Sequence, residues 1–224
     1  MRKIKKSKWF VAALVIVGLM LMGCGQDGRQ DEQKSVMSIV TFQMEPSSDG
    51  VEDFVERFGD FIERIDDYNV ENWEHYYNIA PGDISNDYGF SIFKSDLSCC
   101  GLLVYDDKIY PLGEFFGGYG VNSFALADLN EDGKFELYFT FSWGSGIPRS
   151  QVGYFDTASK ETVIFDYEDF FAISFLEADS NSGLCVYSAG CEVKSFVDIE
   201  MSAGDKIKIA SIAADNGVIF LVEE

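Results

Sequence analysis

Apolar residues recur along the chain with two different periods. Val51, Phe54, Val55, Phe58, Phe61, Ile62 and Ile65 fall at i, i+3, i+4, i+7, i+10, i+11 and i+14, which is one stripe of an amphipathic helix. Asp49 stands where an N-cap belongs, with Glu52 three residues on, and Asp53/Arg57 and Asp60/Arg64 are i,i+4 pairs of opposite charge. From Tyr88 the pattern shortens into strands separated by Gly, Asn and Asp. Strands are expected over 88–94, 102–105, 108–112, 124–127, 135–141, 152–155, 162–165, 171–176, 184–187, 193–199, 206–212 and 218–222, with hairpin turns at Asp106-Asp107 and Asp215-Asn216-Gly217. The fold class that follows is mainly β: antiparallel sheets in a roll, sandwich or partial-propeller-like arrangement, with one N-terminal amphipathic helix. With four prolines and no strong internal repeat, residues 49–224 read as a single domain.

The first residues follow a different pattern. Arg2, Lys3, Lys5, Lys6 and Lys8 precede an apolar run from Trp9 to Met22 broken only by Gly18. That run is short of the roughly 20 residues that span a bilayer, and it has the plan of a signal sequence. It ends in Leu21-Met22-Gly23-Cys24, which resembles the lipobox of bacterial lipoproteins. The resemblance implies export, cleavage after residue 23 and lipid attachment at the Cys24 thiol, so that acyl chains hold the protein at the extracytoplasmic face of the cell membrane. Residues 24–48, rich at first in Gly, Gln, Asp and Ser, then read as a flexible tether.

Charge narrows the partners. Without residues 1–23, 12 Lys and Arg remain against 38 Asp and Glu, a formal net charge of −26. So acidic a body disfavours nucleic acid and anionic polymers and suits the uptake of cations. With 47% hydrophobic residues and 20 Phe the chain still has the material for a core. An exported chain meets oxidising conditions, so Cys99, Cys100, Cys185 and Cys191 are free to form disulfides. Cys185 and Cys191 flank a turn expected at Ser188-Ala189-Gly190 and are a candidate pair across a hairpin, although four thiols leave three connectivities open.

One stretch carries chemistry. Asp128-Leu-Asn130-Glu-Asp132-Gly133-Lys134-Phe-Glu136 places oxygen-bearing side chains at loop positions 1, 3, 5 and 9, with glycine at 6 and the Lys134 carbonyl at 7. Ca²⁺ takes six to eight hard oxygen ligands, and alternate residues of a tight loop can converge on one ion. An EF-hand would place Glu at position 12 between two helices; Phe139 stands there, between expected strands. The loop instead resembles the D-x-[DN]-x-D-G-x-x-[DE] calcium loop of FG-GAP/VCBS-type repeats. Residues 110–156 are also similar to a group of uncharacterised secreted proteins and lipoproteins of Gram-positive bacteria that carry this loop once. The resemblance implies a calcium loop closing a β-hairpin and brings no activity with it. A propeller needs about four or more such blades, and this chain carries one good loop.

Catalytic motifs are weak by comparison. Trp143-Gly144-Ser145-Gly146 lacks the first glycine of a nucleophile elbow, and His75 is the single histidine. The reading is a membrane-anchored, non-catalytic binding or interaction module, stabilised by calcium, with a protein or glycan partner. The alternatives are a cell-envelope glycan hydrolase using paired carboxylates, or an accessory lipoprotein of a transporter or envelope complex.

Overall fold

The apolar stripe folds as its period predicts. In the computed structural model, which describes residues 39–65, 75–170, 172–180 and 183–224, α1 (Val51–Ile65) buries Phe54 and Ile62 and rests its other apolar residues against the same cluster. The Phe54 ring stacks on Phe93, centroids 3.9 Å apart. The expected cap is not made. Gly50, with φ 74°, turns the chain into the helix, and the Asp49 amide donates instead to the Ser47 hydroxyl at 3.3 Å. Arg57 pairs with Asp53 at 3.2 Å and also reaches Asp107 at 3.0 Å, whereas Arg64 donates to the main-chain oxygen of Asp60 rather than to its carboxylate.

Among the described residues the strands form three antiparallel sheets and close no barrel. A helix-side sheet contains β2 (Tyr76–Asn78), β3 (Ser91–Ser95), β4 (Gly101–Tyr105) and β5 (Lys108–Pro111), in that order. A second helix, α2 (Gly82–Tyr88), connects β2 to β3. It displaces the start of the strand expected from Tyr88, because the chain leaves the helix only at Gly89 (φ 73°), whose amide bonds back to the Ser85 carbonyl. The turn between β4 and β5 has Asp106 and Asp107 at φ 49° and 57°, the left-handed pair that matches strand twist in a two-residue hairpin.

The central sheet runs β1 (Val40–Phe42), β6 (Gly120–Ala127), β7 (Glu136–Trp143), β8 (Arg149–Asp156), β10 (Asp169–Phe170), with β9 (Glu161–Ile164) also paired to β8. β1 corrects the expected tether: Val40–Phe42 pair with Phe124–Leu126, so the fold begins before residue 49. Residues 1–38, which include the expected leader and Cys24, lie outside the described residues. The third sheet runs β11 (Ile173–Asp179), β12 (Gly183–Ser195), β13 (Asp198–Asp215), β14 (Val218–Glu223).

β12 also corrects the disulfide expectation. Residues 184–187 and 193–195, expected in separate strands, belong to one strand that runs through Gly190, where the register slips between Ala189 and Cys191. Cys185 faces Ser211 and Cys191 faces Met201. Six residues of one strand, at about 3.3 Å each, put the two cysteines roughly 20 Å apart, and Cys185 and Cys191 are not bonded to each other. The hairpin turns instead at Phe196–Val197, inside the stretch expected as a strand.

The layers follow from which residues share a core. Phe124, Leu126, Phe139, Phe141 and Phe155 of the central sheet pack with Ile92 and Leu103 of the helix-side sheet. On the opposite face, Ala125, Ala127, Tyr138 and Val152 pack with Leu176, Leu184, Val186 and Ile212 of the third sheet. Every residue of β6 is buried, and all of β7 but Trp143. Alternation therefore serves two cores at once, with Phe and Leu on one face and Ala, Ser, Thr and Tyr on the other. No helix among the described residues is long and apolar enough to cross a membrane.

Candidate functional site

The loop that joins the two most buried strands is the one singled out by its oxygen spacing. Glu131 (φ 60°) and Gly133 (φ 87°) take the left-handed conformations that let residues 128–135 double back. Asp128 accepts from the Asp132 amide at 3.0 Å through one carboxylate oxygen and from the Gly133 amide at 2.9 Å through the other. Asn130 Oδ1 accepts from the same Asp132 amide at 3.0 Å, and Asp132 Oδ1 accepts from the Lys134 amide at 2.8 Å. These bonds fold the side chains of positions 1, 3 and 5 back onto the amides of their own loop. Carboxylate oxygens of Asp128, Asp132 and Glu136 lie within 4.8 Å of one another. Of the expected ligands, these three are brought together; Asn130 belongs to the same turn, and Lys134 contributes main chain only.

Glu136 is the unusual member. Its side chain is fully buried at the start of β7. Oε2 accepts from the Tyr138 hydroxyl at 3.0 Å and from the Leu129 amide at 3.3 Å, while Oε1 is buried with no partner. Burial, helped by the negative charges of Asp128 and Asp132, pushes its carboxyl up to about 7 against the lowering effect of those two hydrogen bonds. Desolvation and the neighbouring Glu136 likewise raise the Tyr138 phenol, which stays protonated as a donor. A buried carboxylate oxygen without a donor, beside two more carboxylates, is the environment that a hard divalent cation satisfies. The donor set, oxygen throughout, fits Ca²⁺. Tyr138 was not among the expected site residues, although its place two positions after Glu136 on a strand puts both side chains on one face.

Other chemistry-bearing groups lie apart from this loop. His75 Nδ1 sits 2.8 Å from Asp96 Oδ1. Lys94, fully buried on β3, donates from Nζ to the Val121 carbonyl at 2.7 Å; burial brings its ammonium down to about 7, opposed by the charge of Cys99. A cavity of about 430 Å³ is lined by Ile65, Leu97, Cys99, Phe115 and Phe116, and Phe116 is exposed rather than packed into the core. A second, of about 420 Å³, includes Glu177 and Glu200, but Lys206 pairs with the first and Lys194 with the second. Neither cavity includes Glu136. Compared with protein-family models, curated proteins and solved structures, the chain matches none.

Proposed function

We propose that residues 128–136 bind Ca²⁺ and that the ion locks the β6–β7 hairpin on which both cores depend, in a non-catalytic interaction module held at the extracytoplasmic face by lipid on Cys24. The observation that carries the calcium reading is Glu136 Oε1, a buried carboxylate oxygen with no donor, set against Asp128 and Asp132. The anchor is supported by the sequence of residues 1–24. A glycan-hydrolase reading would rest on the raised Glu136 carboxyl, but that group is sealed from solvent, and the acids of the 420 Å³ cavity are held in ion pairs. Thermal unfolding with millimolar Ca²⁺ and with EDTA, repeated on Asp132→Ala, tests the proposal. Calcium at 100 times its Kd adds about 2.7 kcal/mol to the folded state, roughly 5–10 °C for a domain of this size. A shift that disappears in the variant supports the site; equal melting temperatures with and without calcium reduce the loop to a hairpin turn.

A further inference from the structure

The third sheet has two edges, and they are treated differently. The edge at β11 is closed: the Leu176 amide donates to the Ser123 hydroxyl at 2.8 Å, the Ser174 amide to the Ser150 hydroxyl at 3.2 Å, and the Ser174 carbonyl accepts from Thr140 at 2.7 Å. The edge at β14 has no partner among the described residues.

The phase of the β13–β14 ladder says which groups this open edge presents. The two-residue turn Asn216-Gly217 makes Asp215 and Val218 a hydrogen-bonded pair, and alternate pairs follow. The Glu224 amide, bonded to the Ile209 carbonyl at 3.0 Å, keeps the same phase. The N–H and C=O groups of Ile219, Leu221 and Glu223 therefore point away from β13. Val218, Phe220 and Val222 are 64, 38 and 44% exposed, while Ile219 and Leu221 rest on the core. Val218 to Val222 is an uncharged run in a chain of net charge −21. Proteins ordinarily protect such an edge with a charge, a proline or a bulge, and β14 has none of these between residues 218 and 222.

The order Val-Ile-Phe-Leu-Val reads nearly the same in both directions. Laid antiparallel on a copy of itself about Phe220, it sets Val218 against Val222, Ile219 against Leu221 and Phe220 against Phe220. In that register the outward groups of Ile219 meet those of Leu221 in hydrogen-bonded pairs, and Phe220 faces its counterpart at a non-hydrogen-bonded position, where side chains approach most closely. Like charges are not opposed: Glu223 falls against Gly217, and Glu224 is held by Lys208 of its own chain at 2.7 Å. We propose that β14 pairs with β14 of a second copy of this chain in that register, joining two four-stranded sheets into one of eight. The proposal is independent of the calcium reading.

Cysteine crosslinking of the full chain tests both partner and register. Under mild oxidation, Phe220→Cys yields a covalent dimer well above the background of the native protein. Val218→Cys and Val222→Cys crosslink when mixed and not when each is oxidised alone. Sedimentation of the full chain in density-matched detergent gives the mass of two chains, falling to one in Phe220→Glu, whose unfolding temperature checks that it is folded. A native protein that sediments as one chain, or a Phe220→Cys variant that crosslinks no more than the native protein or only to a different polypeptide, overturns the proposal.

Discussion

The Ser123 hydroxyl donates to the Thr140 hydroxyl 2.8 Å away, and the direction of that bond is fixed by what lies on either side of it. Thr140 uses its own proton on the Ser174 carbonyl, and Ser123 accepts from the Leu176 amide. The result is a directed chain that leaves strand β11 at residue 176, crosses two hydroxyls of the central sheet and returns to β11 at residue 174. Hydroxyls are the short groups able to serve both partners at once without opening the layer.

Thr140→Val keeps the shape and removes the middle of that chain, leaving the Ser174 carbonyl without its donor and the Ser123 proton without its acceptor. A loss of about 1–3 kcal/mol is expected, because buried groups left unpaired bear their full desolvation cost. Adding Ser123→Ala then costs less than it does in the native protein. Urea denaturation of the two single variants and the double variant measures this coupling; strict additivity would mean that the hydroxyls act separately.

The loop predicts an unusual dependence on pH when calcium is absent. The folded Glu136 carboxyl titrates near 7, above the ordinary value of 4.5. A raised carboxyl binds more protons folded than unfolded, so the stability it supports is present at low pH and declines as pH rises from about 4.5 through 7. In EDTA, the native protein is therefore expected to lose more stability between pH 5 and pH 8 than Glu136→Gln, by on the order of 2 kcal/mol. Saturating calcium reverses the ranking at pH 8, since the ion binds the ionised carboxylate and the amide variant lacks it. Paired urea titrations at the two pH values measure both differences.

Lys94 predicts the complementary effect. Its folded ammonium titrates near 7 and its ordinary value is 10.5. A lysine whose folded value is lowered binds fewer protons folded than unfolded. Its burial penalty is therefore complete below about 7 and fades as pH rises toward 10.5. Lys94→Met removes the charge and the bond to the Val121 carbonyl together. The variant should gain more, or lose less, relative to the native protein at pH 6 than at pH 10, by several kcal/mol. Melting temperatures across that range check it, and a pH-independent difference would place the lysine's charge in solvent.

Local features were legible in the sequence, and tertiary ones were not. The α1 stripe, the left-handed turns at Asp106-Asp107 and Asn216-Gly217 and the carboxylate spacing of residues 128–136 are each contained within a few residues, where period and backbone preference decide the outcome. Helix α2 buries Ile84 alone and so leaves no stripe to find. Val40–Phe42 is too short to announce itself and becomes a strand because β6 offers it an edge. Ser188-Ala189-Gly190 has turn composition, yet Ser188 and Ala189 pair on both sides and the strand continues through Gly190, while the apolar Phe196-Val197 makes the real turn. Of the candidate site, the grouping of Asp128, Asp132 and Glu136 was readable from spacing; the burial of Glu136 was not, because it depends on the third sheet covering Tyr138 and its neighbours.

The placement of the 128–135 loop also bears on the order in which the molecule can assemble. β6 and β7 contribute to both cores, yet they are separated by only eight residues. Closing so short a loop sacrifices little chain entropy, so the contacts on which every other layer depends are among the earliest within reach of the unfolded chain. The outer layers then need not find each other; each has only to dock on one side of a ribbon that is already there. A cation captured at the bend would act on that first event, making the speed of folding, and not just its end point, respond to the ions around the chain.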